Sequence, residues 1–160
     1  MQLLLPFLEA ENPKFVLTNG GGRLSMKIQK HVGDILVQNG RLISIEVKVE
    51  KEDKHENFFL ETWSNRKWFT PGWMYTTDCD RLWYFFLKER KLYSIDFGRL
   101  RQWAFWLKDG RGPFYSYKEK KQKEYEQNND TWGRCVPIDV IREAIGFERE
   151  CLVPGLIANP

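Results

Sequence analysis

Apolar and polar residues alternate without a break from Ile43 to Glu50. Ile43, Ile45, Val47 and Val49 fall on one side of an extended chain, and Ser44, Glu46, Lys48 and Glu50 fall on the other, the period of a strand with one face on a core. Just upstream, Gly33-Asp34-Ile35-Leu36-Val37 offers a second short strand, and Asn39-Gly40 between the two is a strong hairpin signal. Two registers suit this hairpin. A two-residue turn pairs Asp34 with Ile45 and sets Val37 beside Leu42. A three-residue loop pairs Asp34 with Glu46, Ile35 with Ile45 and Val37 with Ile43. A slip of one residue exchanges the faces of a strand, and only the second register gathers the β-branched residues on one face. It also sets two acids opposite each other.

The rest of the chain divides by the same logic. Residues 2–10 predict a short helix ended near Pro13, and Phe15-Val16-Leu17 a brief strand. Gly20-Gly21-Gly22 reads as a flexible turn, since the Gly-Lys-Ser/Thr ending of a phosphate loop is missing. Lys51 to Glu56 is a charged, solvated tip. Asn57 to Trp63 predicts a third strand that pairs back on the Glu46 strand, with Phe59 and Glu61 on one face and Phe58, Leu60 and Thr62 on the other. Trp63 to Trp73 is a loop of rings and cations, with Trp73 assigned to the core. Arg81–Lys88 and Lys91–Asp96 predict a second hairpin, although Trp83-Tyr84-Phe85-Phe86 has no clean period and a short helix competes there. Arg99 to Lys108 predicts a helix with Leu100, Trp103, Ala104 and Leu107 inward, ended by Asp109-Gly110 and Gly112-Pro113.

Residues 115–130 are polar, with Lys118, Lys120, Lys121 and Lys123 clustered. Such a run is usually solvated, although it also has the charge to clamp a duplex. Trp132 to Pro137 predicts the last strand. Pro137-Ile138-Asp139 opens a helix through Ile145 with Gly146 as its stop. The apolar tail, 147–160, is suited to pack on the core or on a second subunit, which leaves a homodimer open. The expected architecture is an α/β domain over 1–160, with its core at about 28–107: a mixed, mainly antiparallel sheet built on two hairpins and flanked by helices.

Composition supports one sizeable core: 160 residues carry seven Trp, eleven Phe and six Tyr. A formal charge of +3 permits nucleic acid without demanding it, so local patches must decide. Cys79, Cys135 and Cys151 are odd in number and lack metal-ligand spacing, which reads as reduced thiols of a cytoplasmic protein. His31 and His55 are the only histidines and sit close to no cysteine, which argues against zinc. The apolar start, Met1 to Leu8, lacks a basic leader and a small-residue cleavage site. No other stretch approaches the roughly 20 apolar residues of a membrane span, so no membrane role is expected.

The chemistry concentrates on the first hairpin. Two opposed carboxylates are unfavourable unless neutralised, and a bound Mg²⁺ or Mn²⁺ would neutralise them through oxygen ligands. Lys48, on the Glu46 face, suits an attacking water or a developing phosphate charge. Glu-x-Lys alone is weak, since it recurs at Glu52/Lys54, Glu89/Lys91 and Glu119/Lys121 in polar stretches. Only the Glu46 copy lies in an apolar strand with an acid at the matching position of the strand before it. The competing reading is an amphipathic edge hairpin with a solvated outer face. Arg23, Lys27 and Lys30 ahead of Asp34, and Arg66, Lys67 and Trp68 in the aromatic loop, suit phosphate contacts and base stacking, with solvated surface as the alternative. Glu61 either binds the metal or orients it from behind the direct ligands, or is a strand-end side chain in solvent.

Gly33-Asp34, then Glu46-x-Lys48 on the next strand, then Asn57-Phe58-Phe59-Leu60-Glu61, resembles the PD-(D/E)xK nuclease superfamily, especially its small phage-type and Holliday-junction-resolvase-like members. Gly72-Trp73, the run Asp80 to Phe85, and Leu92 to Asp96 fit the phage-type pattern as well, so the resemblance covers roughly 28–107. It implies a restriction-endonuclease-like fold in a bacterial or phage-infected cell, hydrolysing DNA phosphodiesters with Mg²⁺. It also implies Asp34 and Glu46 as metal ligands, the Val47 carbonyl as a third, and Lys48 as the catalytic lysine. The superfamily's proline before the aspartate is replaced by Gly33. Glu9 or Glu11 could stand for the acid that the family's leading helix often adds. Two alternatives remain: a catalytically idle nucleic-acid-binding protein of the same fold, and a structural or partner-binding protein.

Overall fold

A computed structural model describes residues 15–17, 35–38, 42–106, 112–122 and 130–153, of which 15–17 and 35–38 are described as backbone only. Two compact units interleave along the chain. The first takes residues 1–53, 78–97 and 147–160; the second takes 54–77 and 98–146.

The first unit is a six-stranded sheet. Its strands are β1 (Phe15–Leu17), β2 (Ile35–Gln38), β3 (Leu42–Glu50), β6 (Arg81–Phe86), β7 (Lys91–Asp96) and β10 (Arg149–Leu152), in the order β1-β2-β3-β6-β7-β10. Two hairpins, β2–β3 and β6–β7, meet through a parallel pairing of β3 with β6, and all other pairs are antiparallel. This matches the expected mixed sheet on two hairpins. The β2–β3 register pairs Ile35 with Ile45 and Val37 with Ile43, which is the register that gathers the β-branched side chains.

β6 shows why its sequence lacked a period. Leu82, Trp83, Tyr84, Phe85 and Phe86 are all buried, so both faces of this central strand are covered and alternation disappears. On one face Ile45, Val47, Trp83, Phe85, Leu92 and Val153 form a core cluster. On the other, Tyr84, Phe86, Tyr93 and Phe147 run ring to ring with centroids 5.1–6.0 Å apart, in largely edge-on and tilted contacts that suit aromatic quadrupoles.

The second unit corrects two expectations. The strand at Asn57–Asn65 (β4) does not return to β3, because β6 already occupies that edge. It joins a separate sheet of order β5-β4-β9-β8, with β5 at Thr70–Pro71, β8 at Glu119–Lys121 and β9 at Trp132–Pro137. The alternation of β4 holds: Phe58, Leu60 and Thr62 are buried, and Phe59 and Glu61 are partly exposed. Part of the polar run at 115–130 is likewise ordered as β8 and as a 3₁₀ turn, Pro113–Ser116. Three helices complete the described elements: α1 (Trp73–Thr76), α2 (Phe97–Phe105) and α3 (Ile138–Ile145).

Helix α3 begins after Pro137, which has no N–H to leave unsatisfied, and stops at Gly146, whose φ of 71° suits glycine. Helix α2 starts at Phe97, two residues before its expected start, and buries Phe97, Leu100 and Ala104, with Trp103 half-buried. The tail supplies β10, an edge strand not anticipated, since Arg149-Glu150-Cys151-Leu152 has no apolar period. The expected helix at 2–10, the triple glycine at 20–22 and Leu107 lie outside the described residues.

A Cβ on Gly112 would sit 1.7 Å from the backbone oxygen of Ala104 in the last turn of α2. Backbone cannot yield as a side-chain tip can, so overpacking here exceeds the usual cost of about 1–3 kcal/mol. Gly112→Ala should therefore lower the urea midpoint by the equivalent of about 3 kcal/mol or more, or prevent folding, read by denaturation followed by circular dichroism.

Candidate functional site

Strand β3 carries the polar wall of the first unit. Glu46 and Lys48 stand two residues apart on one face, and the flexible lysine stem brings Nζ to 2.6 Å from Glu46 Oε1. Glu46 is only 8% exposed, whereas the Lys48 side chain is 29% exposed. The carboxylate is thus set into the wall while the ammonium keeps access to solvent. Between them Val47 turns into the core cluster, which fixes the strand and therefore the pair.

The wall continues in both directions along β3. Asp80 Oδ2 accepts the Ser44 backbone N–H at 2.8 Å and its hydroxyl at 2.9 Å, and Asp80 N–H donates to the Ser44 carbonyl at 3.0 Å. Four residues on, Tyr84 donates its hydroxyl to Glu50 Oε1 at 2.9 Å. Burial pushes the Glu50 carboxyl above its usual range, and the Tyr84 hydrogen bond offsets part of that rise. Beside Glu46, the Cys79 thiol donates to the Arg81 carbonyl at 3.1 Å. Its pKa is pushed up to about 12, first by burial, with the charges of Glu46 and Asp80 adding to the rise.

The backbone of β3 has a definite polarity. The Ser44 and Glu50 carbonyls accept N–H groups from the β6 side, from Asp80 and Leu87. Successive residues of a strand turn their backbone groups to opposite edges, so the odd-numbered carbonyls, Val47 among them, face the β2 side. Asp34, Arg23, Lys27, Lys30, Glu9 and Glu11 lie outside the described residues. Among the described residues, no group of three or more His, Cys, Asp or Glu is gathered as a metal site.

The remaining predicted site residues belong to the second unit. The Glu61 carboxylate accepts the Trp73 N–H at 3.2 Å, at the start of α1, so it serves as a helix cap rather than an open strand-end group. Trp73 is buried, as expected. Arg66 lies over the Trp132 ring at 4.3 Å and pairs with Glu119 at 3.6 Å. Glu119 also accepts the hydroxyl of the buried Thr62 at 2.6 Å and approaches Arg134 at 3.9 Å. Arg66 is therefore tied, while still exposed, into a polar network with Glu119, Thr62 and Arg134. Lys67 and Trp68 are exposed, with Lys67 Nζ 5.5 Å from the Trp68 ring.

Several contributors escaped the sequence reading. Asp80, Glu50 and Tyr84 hold the wall of β3, and only the mixed sheet brings residues 44–50 beside 80–84. Asp130 accepts the Lys67 N–H at 2.9 Å and the Trp132 indole N–H at 3.0 Å. Trp132 and Lys121 hold its carboxyl below the usual carboxylate range. No local pattern signals a contact across 63 residues.

Comparison with protein-family models, with curated proteins and with solved structures finds no match.

The Glu50 carboxyl gives a signed pH dependence. A raised folded-state pKa costs stability wherever the group is charged, above that pKa, and the cost disappears as pH falls below the unfolded value near 4.5. Glu50→Gln keeps an acceptor for Tyr84 and removes the charge. Its melting temperature should exceed the wild type's at pH 7–8, and the gap should close by about pH 4, measured by differential scanning calorimetry. Cys79 gives a second expectation: alkylation by iodoacetamide at pH 8 should leave it unmodified in the folded protein and modify it readily in urea, read by peptide mass spectrometry.

Proposed function

We propose that the first unit is a metal-dependent DNA phosphodiesterase of the PD-(D/E)xK type, built on a restriction-endonuclease-like sheet. The observation that carries this reading is the Glu46–Lys48 pair, 2.6 Å apart on one wall of a strand whose register with β2 pairs Ile35 with Ile45. The sequence pattern that predicts this register also predicts Asp34 opposite Glu46.

The donor set suits a hard divalent ion: two carboxylates, Asp34 and Glu46, and a carbonyl, Val47, facing the β2 side. Mg²⁺ or Mn²⁺ held there would lower the pKa of a bound water and polarise a phosphate. Glu46 supplies a carboxylate already set into the wall, so little ordering is needed on binding. Lys48, beside Glu46 and reaching solvent, would donate to a water or a non-bridging phosphate oxygen and stabilise charge as it develops. Glu61 is left out of the set because its carboxylate caps α1. Cys79, Cys135 and Cys151 are not joined in disulfides, and the proposed enzyme would work in a reducing, cytoplasmic setting. No helix among the described residues is long and apolar enough to cross a membrane.

Titration calorimetry with Mn²⁺ should show binding that Asp34→Asn and Glu46→Gln each weaken severely. Purified protein with Mg²⁺ or Mn²⁺ should cut one or more of linear, circular, single-stranded and branched DNA. Lys48→Ala should lower that rate about 100-fold or more, and because it takes the ion pair away from the buried Glu46 it should lower the melting temperature as well. Equal Mn²⁺ affinity in all variants would overturn the metal site. Metal binding with no cleavage of any of these DNAs would leave an idle member of the same fold.

A further inference from the structure

The large hydrophobic residues exposed on the described surface divide by unit. In the first they are aliphatic: Leu42, Val49 and Leu152. In the second they are all aromatic: Trp68, Phe69, Tyr75, Trp106 and Tyr115. Charge divides the same way. Segments 54–77 and 98–146 hold thirteen Lys and Arg against nine Asp and Glu, a formal +4, while the rest of the chain sums to −1. A surface of rings and positive charge is what unpaired nucleotides require, since every base has a π-face and every linkage a negative charge.

The loop Arg66–Phe69, between β4 and β5, is built to present such groups. Asn65 Oδ1 accepts the Trp68 N–H at 3.1 Å, and the Arg66 carbonyl accepts the Phe69 N–H at 3.1 Å. Asp130 holds the base of the loop, its carbonyl taking the Arg66 N–H at 2.9 Å and its carboxylate the Lys67 N–H. Phe69 has a φ of 51°, a left-handed conformation that a bulky residue adopts only when its surroundings impose it. Yet Trp68 is 71% and Phe69 79% exposed. Folding thus fixes the backbone of this loop in detail and leaves its two largest side chains in water.

We propose that the second unit is a nucleic-acid recognition module, in which the Lys67-Trp68-Phe69 loop stacks on unpaired bases of a single-stranded or branched substrate. This deepens the nuclease reading by assigning the substrate class to unpaired nucleic acid, and by separating recognition in the second unit from chemistry in the first. Trp68 and Phe69 supply stacking faces, and Lys67 supplies charge to the adjoining phosphates. Asp130 is a positioning residue that fixes the loop.

The test is fluorescence anisotropy in EDTA, where hydrolysis cannot contribute, with the full chain and a labelled 20-nucleotide oligothymidine or a blunt duplex of equal length. The single strand should bind at least ten-fold tighter than the duplex. Trp68→Ala and Phe69→Ala should each weaken single-strand binding roughly ten- to a hundred-fold and change duplex binding little, with melting temperatures unaltered. Trp68→Phe should retain most of the affinity, while Trp68→Leu should behave like alanine. Asp130→Ala raises the net charge by one, so electrostatics alone would tighten binding; the proposal expects weakening. Equal affinity for single strand and duplex, or an unchanged Trp68→Ala, would overturn the proposal. So would full affinity in Trp68→Leu, which would mark an apolar docking patch for protein. Because these arms need no metal, they separate from the cleavage test. Binding as expected without cleavage would refute the enzyme alone, and cleavage without these effects would refute the module alone.

Discussion

The parallel pairing of β3 with β6 is the contact on which the first unit depends. It joins two hairpins, each marginal alone, into one sheet and buries β6 on both faces. It also brings Asp80, Cys79 and Tyr84 beside Ser44, Glu46 and Glu50, so the polar face of β3 is braced at both ends. A buried carboxylate such as Glu46 is tolerable only with a partner, and Lys48 supplies one from the same strand. The site and the sheet therefore rest on the same ladder.

A different constraint organises the second unit. Glu119 on β8 gathers Thr62, Arg66 and Arg134, while Asp130 gathers Lys67, Lys121 and Trp132. These two acids tie the end of β4 to β8 and the start of β9 through hydrogen bonds rather than apolar burial. Hydrogen bonds fix direction as well as distance, and at the buried Thr62 an unmade one would be costly. The aromatic loop inherits its fixed shape from them.

What the sequence made legible follows from what its patterns encode. The β2–β3 register was readable because only one alignment puts Ile35, Val37, Ile43 and Ile45 on a common face. The boundaries of α3 were readable from Pro137 and Gly146. Alternation along β4 told which side chains point inward but not which strand lies beside them, so β4 was assigned to the wrong sheet. Strand β10 was invisible, because Cys151 alone of its four residues packs against the core cluster and one position makes no period. Arg66 shows the same limit in the site: a cation in an aromatic loop suits phosphate and carboxylate alike, and Glu119 lies 53 residues away. The resemblance to nucleases rests on the order of short motifs around Glu46 and Lys48, and Asp34, its other half, falls outside the described residues.

The interleaving of the two units has a consequence for biosynthesis. Strand β3 is made early, but β6, its parallel neighbour, emerges from the ribosome only after β4, β5 and α1, and β10 closes the sheet only after the whole second unit has been translated. Domains that are continuous in sequence can fold from the N-terminus as they appear; the first unit cannot. The wall that holds Glu46 and Lys48 can assemble once β6 has emerged, whereas the far edge of the same sheet, beside β7, stays open until residues 149–152 have been synthesised.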